Sequence, residues 1–167
     1  MAFNDSSTPG RAYHPVGNFT GNLVSLHTVF RESLEKVKAG FDLVRLIVRC
    51  EPLPHIYGNR EAIAELFENL VRIILSSHAP GYKFYLSIRC DEDNANPSYE
   101  DLKSYLIRIH ANISTSGEWN AVNAAALLRC NFIVAGLNGN LQVNNIMNTG
   151  SLFSISLPGK MIADAIR

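Results

Sequence analysis

The stretch YGNREAIAELFENLVRIILSS, Tyr57 to Ser77, carries Ile63, Leu66, Phe67, Leu70 and Ile74 at three- and four-residue intervals. On a 3.6-residue period these positions form one apolar stripe, while Arg60, Glu61, Glu68 and Arg72 fall on the opposite side. Asn59 is placed as an N-cap, its side-chain oxygen available to the first free amides. Glu61 and Glu65 lie in the early turns, where the positive end of a helix favours carboxylates. The spacing predicts an amphipathic helix.

Working outward, Leu23, Leu26, Val29, Phe30, Leu34 and Val37 predict another amphipathic helix over 23–39, closed by Gly40. FDLVRLIVRC, Phe41 to Cys50, is rich in β-branched and large apolar residues and reads as a strand stopped by Pro52 and Pro54. After the central helix, His78-Ala79-Pro80-Gly81 turns the chain into a strand over 83–90. The acidic stretch DEDNANPSYED, Asp91 to Asp101, reads as a solvated loop leading to its hairpin partner over 102–110. A third helix is expected over 118–135, burying a stripe of Ala121, Ala125, Leu128, Phe132 and Ala135, with Gly136 beyond its end. Strands over 140–146 and 151–157 then form a final hairpin before Pro158-Gly159. Residues 1–10 read as a loose arm, 11–16 as a short extended piece, and the tail to Arg167 as a short helix or frayed end. The order predicts one domain over 1–167 of the α/β (α+β) class. Its architecture is a two-layer sandwich, a mixed and mainly antiparallel sheet with about three helices on one face.

Composition narrows the function. Fifteen Lys plus Arg balance fifteen Asp plus Glu in 167 residues, so no basic field attracts nucleic acid or an anionic membrane. No apolar run approaches the ~20 residues that span a bilayer, and the first residues lack the order of a signal peptide. Cys50, Cys90 and Cys130 form no CxxC pair and no zinc-type cluster with histidine, which fits free thiols in a reducing, cytoplasmic setting. His27 reads as a half-buried helix residue and Cys130 as a structural thiol. Walker A, GxSxG and HExxH patterns are absent. Between Trp119 and Pro158 the only charged residue is Arg129. Such a neutral stretch is expected to be mostly buried, and any solvent-facing part is either a contact surface or an uncharged surface without a partner.

In order along the chain stand Pro52-Leu53-Pro54, Tyr57-Gly58-Asn59, Glu68-Asn69-Leu70, Gly139-Asn140-Leu141, Gly150-Ser151-Leu152-Phe153 and Leu157-Pro158. Together with the order of elements, these phrases resemble the catalytic ATP-binding domain of sensor histidine kinases, the Bergerat-fold or histidine-kinase-like ATPase family. The likeness covers most of the chain. In that family the helix carries two asparagines one turn apart, the second of which ligates the magnesium bridging the ATP phosphates. Asn69 matches the first, and Ile73 stands at the second. Isoleucine has no lone pair for a hard cation that takes oxygen ligands. In a rival register Glu65 and Asn69 resemble the base-plus-ligand pair of gyrase-type relatives. The family's adenine-reading motif falls at Ala111-Asn112-Ile113, where Ala111 cannot accept a hydrogen bond and Ile113 is β-branched where glycine is expected. Only Ser114 to Glu118 remain for the lid, and Asn120 to Ala124 hold no glycine.

The resemblance therefore implies a degenerate domain: a vestigial nucleotide pocket at Glu65, Asn69, Ile73, Ala111, Asn112 and Ile113, with no catalytic residue, no metal and no cofactor expected. It further implies a non-catalytic interaction or regulatory module of two-component signalling. Its partner would be a response regulator, the dimerisation helices of a histidine kinase, or a second copy in a homodimer. Two alternatives stay open: a divergent ATP-binding kinase using Glu65 and Asn69 with magnesium, and a small-ligand sensor using the vacated pocket.

Overall fold

Two polar side chains set where the first helices begin. Ser25 Oγ accepts from the Thr28 amide at 3.3 Å, so the first helix, α1, runs over Leu26–Lys38 and leaves Asn22–Ser25 as a strand, β1. Asn59 Oδ1 accepts from the Glu61 and Ala62 amides at 2.8 and 3.1 Å, the capping expected of it. The central helix, α2, therefore spans Arg60–Ser76, and its predicted first residues belong to strand β3, His55–Gly58. Leu23, placed in a helix from periodicity, instead faces Tyr57 across the antiparallel β1 and β3 pair. Four-residue strands leave almost no periodic trace, and their pairing joins segments about thirty residues apart.

The structure, a computed structural model, describes residues 21–41, 46–76, 83–94, 102–112, 121–146 and 150–163. The predicted arm, the extended piece over 11–16, the lid positions and the last four residues of the tail, 164–167, lie outside them. The remaining elements are β2 (Leu46–Cys50), β4 (Phe84–Glu92), β5 (Lys103–Ala111), α3 (Ala121–Gly136), β6 (Asn140–Ile146) and β7 (Gly150–Gly159). They form a five-stranded sheet in the order β2-β4-β5-β7-β6, with β2 parallel to β4 and every other pair antiparallel. This is the expected mixed, mainly antiparallel sheet. β4 extends into the acidic segment because Asp91 pairs with Arg108 and Glu92 with Lys103 on β5.

One face of the sheet is apolar at every second residue: Phe84, Leu86 and Ile88 on β4, Ile107 and Ile109 on β5, Phe153 and Ile155 on β7 are at most 1% exposed. Against them pack Phe30 of α1, with Phe67 and Leu70 of α2, and the Phe30 and Phe67 rings meet edge to face at 5.4 Å. α3 closes the layer, but its phase is the reverse of the predicted one. Cys130, Ile133 and Val134 are buried, whereas Leu128 and Phe132 are each 71% exposed. The helix is apolar on both sides, so periodicity alone could not say which side meets the sheet. The neutral stretch from Trp119 onward is thus not uniformly buried. Among the described residues no helix is long and apolar enough to cross a membrane.

Candidate functional site

α2 carries Glu65, Asn69 and Ile73 at four-residue steps, and the end of β5 carries Ala111 followed by Asn112. Ile73 is 1% exposed and Ala111 0%, and both belong to the single hydrophobic core. At the position that the resemblance assigns to the metal ligand, the side chain is therefore packed hydrocarbon. Ala111 sits between Leu86 of β4 and Ser151 of β7 in register. A Cβ on the adjacent Gly150 would fall 1.8 Å from the Ala111 carbonyl oxygen, so backbone fills the space beside it. Asn112 is also engaged: its Oδ1 accepts from the Tyr85 amide at 2.9 Å, and its Nδ2 donates to the Lys83 carbonyl at 3.1 Å. It acts as an extra rung on the end of β4. Ile113 lies outside the described residues.

Glu65 faces α3. Arg129 donates from Nε to Oε1 at 2.8 Å and from Nη2 to Oε2 at 3.0 Å, a two-pronged pair that joins the helices. These hydrogen bonds hold the Glu65 carboxyl below its ordinary value, against an opposing effect of desolvation. The same guanidinium lies 5.5 Å over the Phe132 ring. Glu68, one turn along, accepts from Lys36 of α1 at 2.8 Å. The structure thus keeps Glu65 and Asn69 on one helix, as the rival register requires, but commits Glu65 to an ion pair. Arg129 was not among the expected site residues. Its sequence signal was its isolation, a single charge in a long neutral run.

A bound magnesium nucleotide would need an oxygen ligand near Ile73 and an acceptor near Ala111. Neither side chain has one, so at these two positions the residues do not fit the group. Among the described residues no three His, Cys, Asp or Glu side chains are grouped to hold a metal. Burial pushes the Cys50 and Cys90 thiols up to about 11 and Cys130 to about 12, which leaves little thiolate for nucleophilic chemistry at neutral pH. Cys130 Sγ donates to the Leu66 carbonyl at 3.8 Å, tying α3 to α2. A cleft of 280 Å³ opens elsewhere, between the start of α2 and the end of α3, bordered by Tyr57, Ala62, Phe132, Gly136 and Leu137.

No protein-family model matches the sequence, and no curated protein does. Solved structures do. A mycobacterial sensor histidine kinase, MprB, superposes with a TM-score of 0.66 at 16% identity, over 86% of this chain and 100% of that one. The Acinetobacter baumannii histidine kinase AdeS gives 0.57 at 18% identity over 81% of this chain and 66% of that one. The cytoplasmic segment of histidine kinase QseC gives 0.56 at 12% identity over 81% and 76%. Similarity at this level of identity is similarity of fold.

Proposed function

We propose that this chain, which has the histidine-kinase-like ATPase fold, serves as a non-catalytic interaction or regulatory module in two-component-type signalling. The observation that carries the reading is Ile73, packed in the core at 1% exposure, at the position that the resemblance gives to the metal-binding asparagine. Three further features support it. Ala111 stands where the resemblance expects the adenine-reading aspartate, Asn112 is spent on β4, and Glu65 is held by Arg129. The module works by docking in the cytoplasm, on a response regulator, on kinase dimerisation helices or on a second copy. A fold can be kept for its surface after its chemistry is gone.

Calorimetry and thermal melting of the purified chain with magnesium and ATP test this reading. Ligand at about 100 times its dissociation constant stabilises a native state by about 2.7 kcal/mol, an easily read rise in melting temperature. No heat and no rise are expected with nucleotide up to the millimolar range. Saturable micromolar binding would overturn the reading in favour of a divergent kinase.

A further inference from the structure

The helices cover one face of the five-stranded sheet, and every second side chain of its strands turns to the other face. On that open face Ile47 of β2 and Tyr85 of β4 lie in register, 49% and 45% exposed. Beyond them the face becomes basic. Arg89 of β4 stands directly opposite Arg108 of β5, a like-charge pairing that weakens a sheet. Arg49 of β2 is in register with Ser87, two residues before Arg89 on the same face. Three guanidinium groups therefore share a patch two strand spacings wide, about 10 Å. The carboxylates around it are already engaged. Asp91 pairs with Arg108 and Glu92 with Lys103, while Glu51 Oε2 accepts from the Cys90 amide at 3.0 Å. Among the described residues Arg49 and Arg89, both exposed, form no ion pair. In a chain whose fifteen basic and fifteen acidic residues balance, this excess is a matter of placement.

We infer that the open face binds an acidic protein segment, two of its carboxylates accepting from Arg49 and Arg89 and an apolar side chain lying against Ile47 and Tyr85. Charge complementarity selects the acid, because two guanidinium groups lack a partner and a carboxylate fits their two-pronged donors. The exposed Ile47 and Tyr85 beside them select a protein, since tyrosine and arginine together are what interface centres are rich in. A nucleic acid fits less well. The same face continues into Ser154 of β7 and Gln142 of β6, which are neutral, and Asp91 and Glu51 bound the patch along β4 and β2. A polyphosphate calls for a longer basic stripe, and zero net charge supplies no long-range pull. Binding would also relieve the opposition of Arg89 and Arg108. The inference rests on the interaction-module reading and deepens it by naming the chemistry of the partner.

Fluorescence anisotropy of a labelled copolymer of glutamate and tyrosine, titrated with the full chain in the absence of nucleotide, tests it. Saturable binding is expected at about 50 mM salt, weakening at least ~10-fold at about 500 mM, where screening is stronger. Arg49→Glu and Arg89→Glu are each expected to weaken binding by ~10-fold or more. Arg72→Glu on α2, also exposed, makes the same change of charge away from the face and should leave binding intact. Arg89→Gln is the gentler arm should a charge reversal fail to melt cooperatively. It is expected to lower binding while raising the melting temperature, because it removes the charge opposite Arg108. A merely structural arginine would not give that combination. No saturable binding, binding unmoved by the Arg49 and Arg89 substitutions, or an equal loss in Arg72→Glu overturns the inference. Tighter binding of polyuridylate than of the copolymer overturns it in favour of nucleic acid. ATP binding would overturn the interaction-module reading and leave these results as they stand, so the two failures are distinguishable.

Discussion

Glu65 shows how a residue suited to one chemistry can be held in another role. A carboxylate on this helix could serve as a base, but here both oxygens accept from Arg129. The arginine hydrogen bonds lower the Glu65 pKa from its ordinary 4.5. A carboxyl depressed in the native state stabilises the fold above its unfolded pKa and loses that contribution as pH falls through the native one. Because the pair is partly exposed, the effect is screened and modest. Denaturant unfolding of wild type and Glu65→Gln at pH 7 and near pH 3 isolates it. The variant should be less stable at pH 7, and the gap should close in acid. A gap of equal size at both pH values would mean that Glu65 acts through packing. The candidate positions Asn69, Ile73 and Ala111 come from the order of short phrases along the chain. The Glu65 and Arg129 pair was not legible there, because its partners are 64 residues apart and meet only once α2 and α3 pack.

At the scale of elements, legibility depended on whether a segment has one apolar face or two. α2 has one, and its stripe was read correctly. α3 has two: Ala125, Leu128 and Phe132 outward, Cys130, Ile133 and Val134 inward. The period was right and the phase was reversed, since hydrophobicity cannot choose between two equal stripes. β1 and β3 were missed because strands of four residues show too little alternation. The start of β7 is fixed by a contact of another kind. Gly150 has φ +116°, and a Cβ there would lie 1.8 Å from the Ala111 carbonyl oxygen. An L side chain is strained at that angle, and the clash is with backbone that anchors β5 to β7. Gly150→Ala is therefore expected to cost about 2–4 kcal/mol in denaturant unfolding. A loss below about 0.5 kcal/mol, the level of an ordinary surface change, would show that β7 can start one residue later at no cost.

The whole molecule joins a broad sheet to a small one, and the two are unequally anchored. β5 and β7 each have strands on both sides, and their inner residues Ile107, Ile109, Phe153 and Ile155 are at most 1% exposed. Opening either strand breaks two ladders and exposes the centre of the core. β1 and β3 form a sheet of two strands, four residues each. They join the end of β7 through reciprocal hydrogen bonds between His55 and Lys160, both 2.9 Å. Leu23 of β1 is 36% exposed, so half of that pairing lies against water. Local opening free energies follow such differences in buried apolar contact, up to the global value. Native-state hydrogen exchange should therefore show the amides of β5 and β7 exchanging only by global unfolding, with a denaturant dependence as steep as the full transition. The β1 and β3 amides should exchange earlier and with a shallow dependence. Equal protection in both sheets would instead mean that Val24 and Ile56, 5% and 1% exposed beneath the small sheet, weld it into a single cooperative unit with the core.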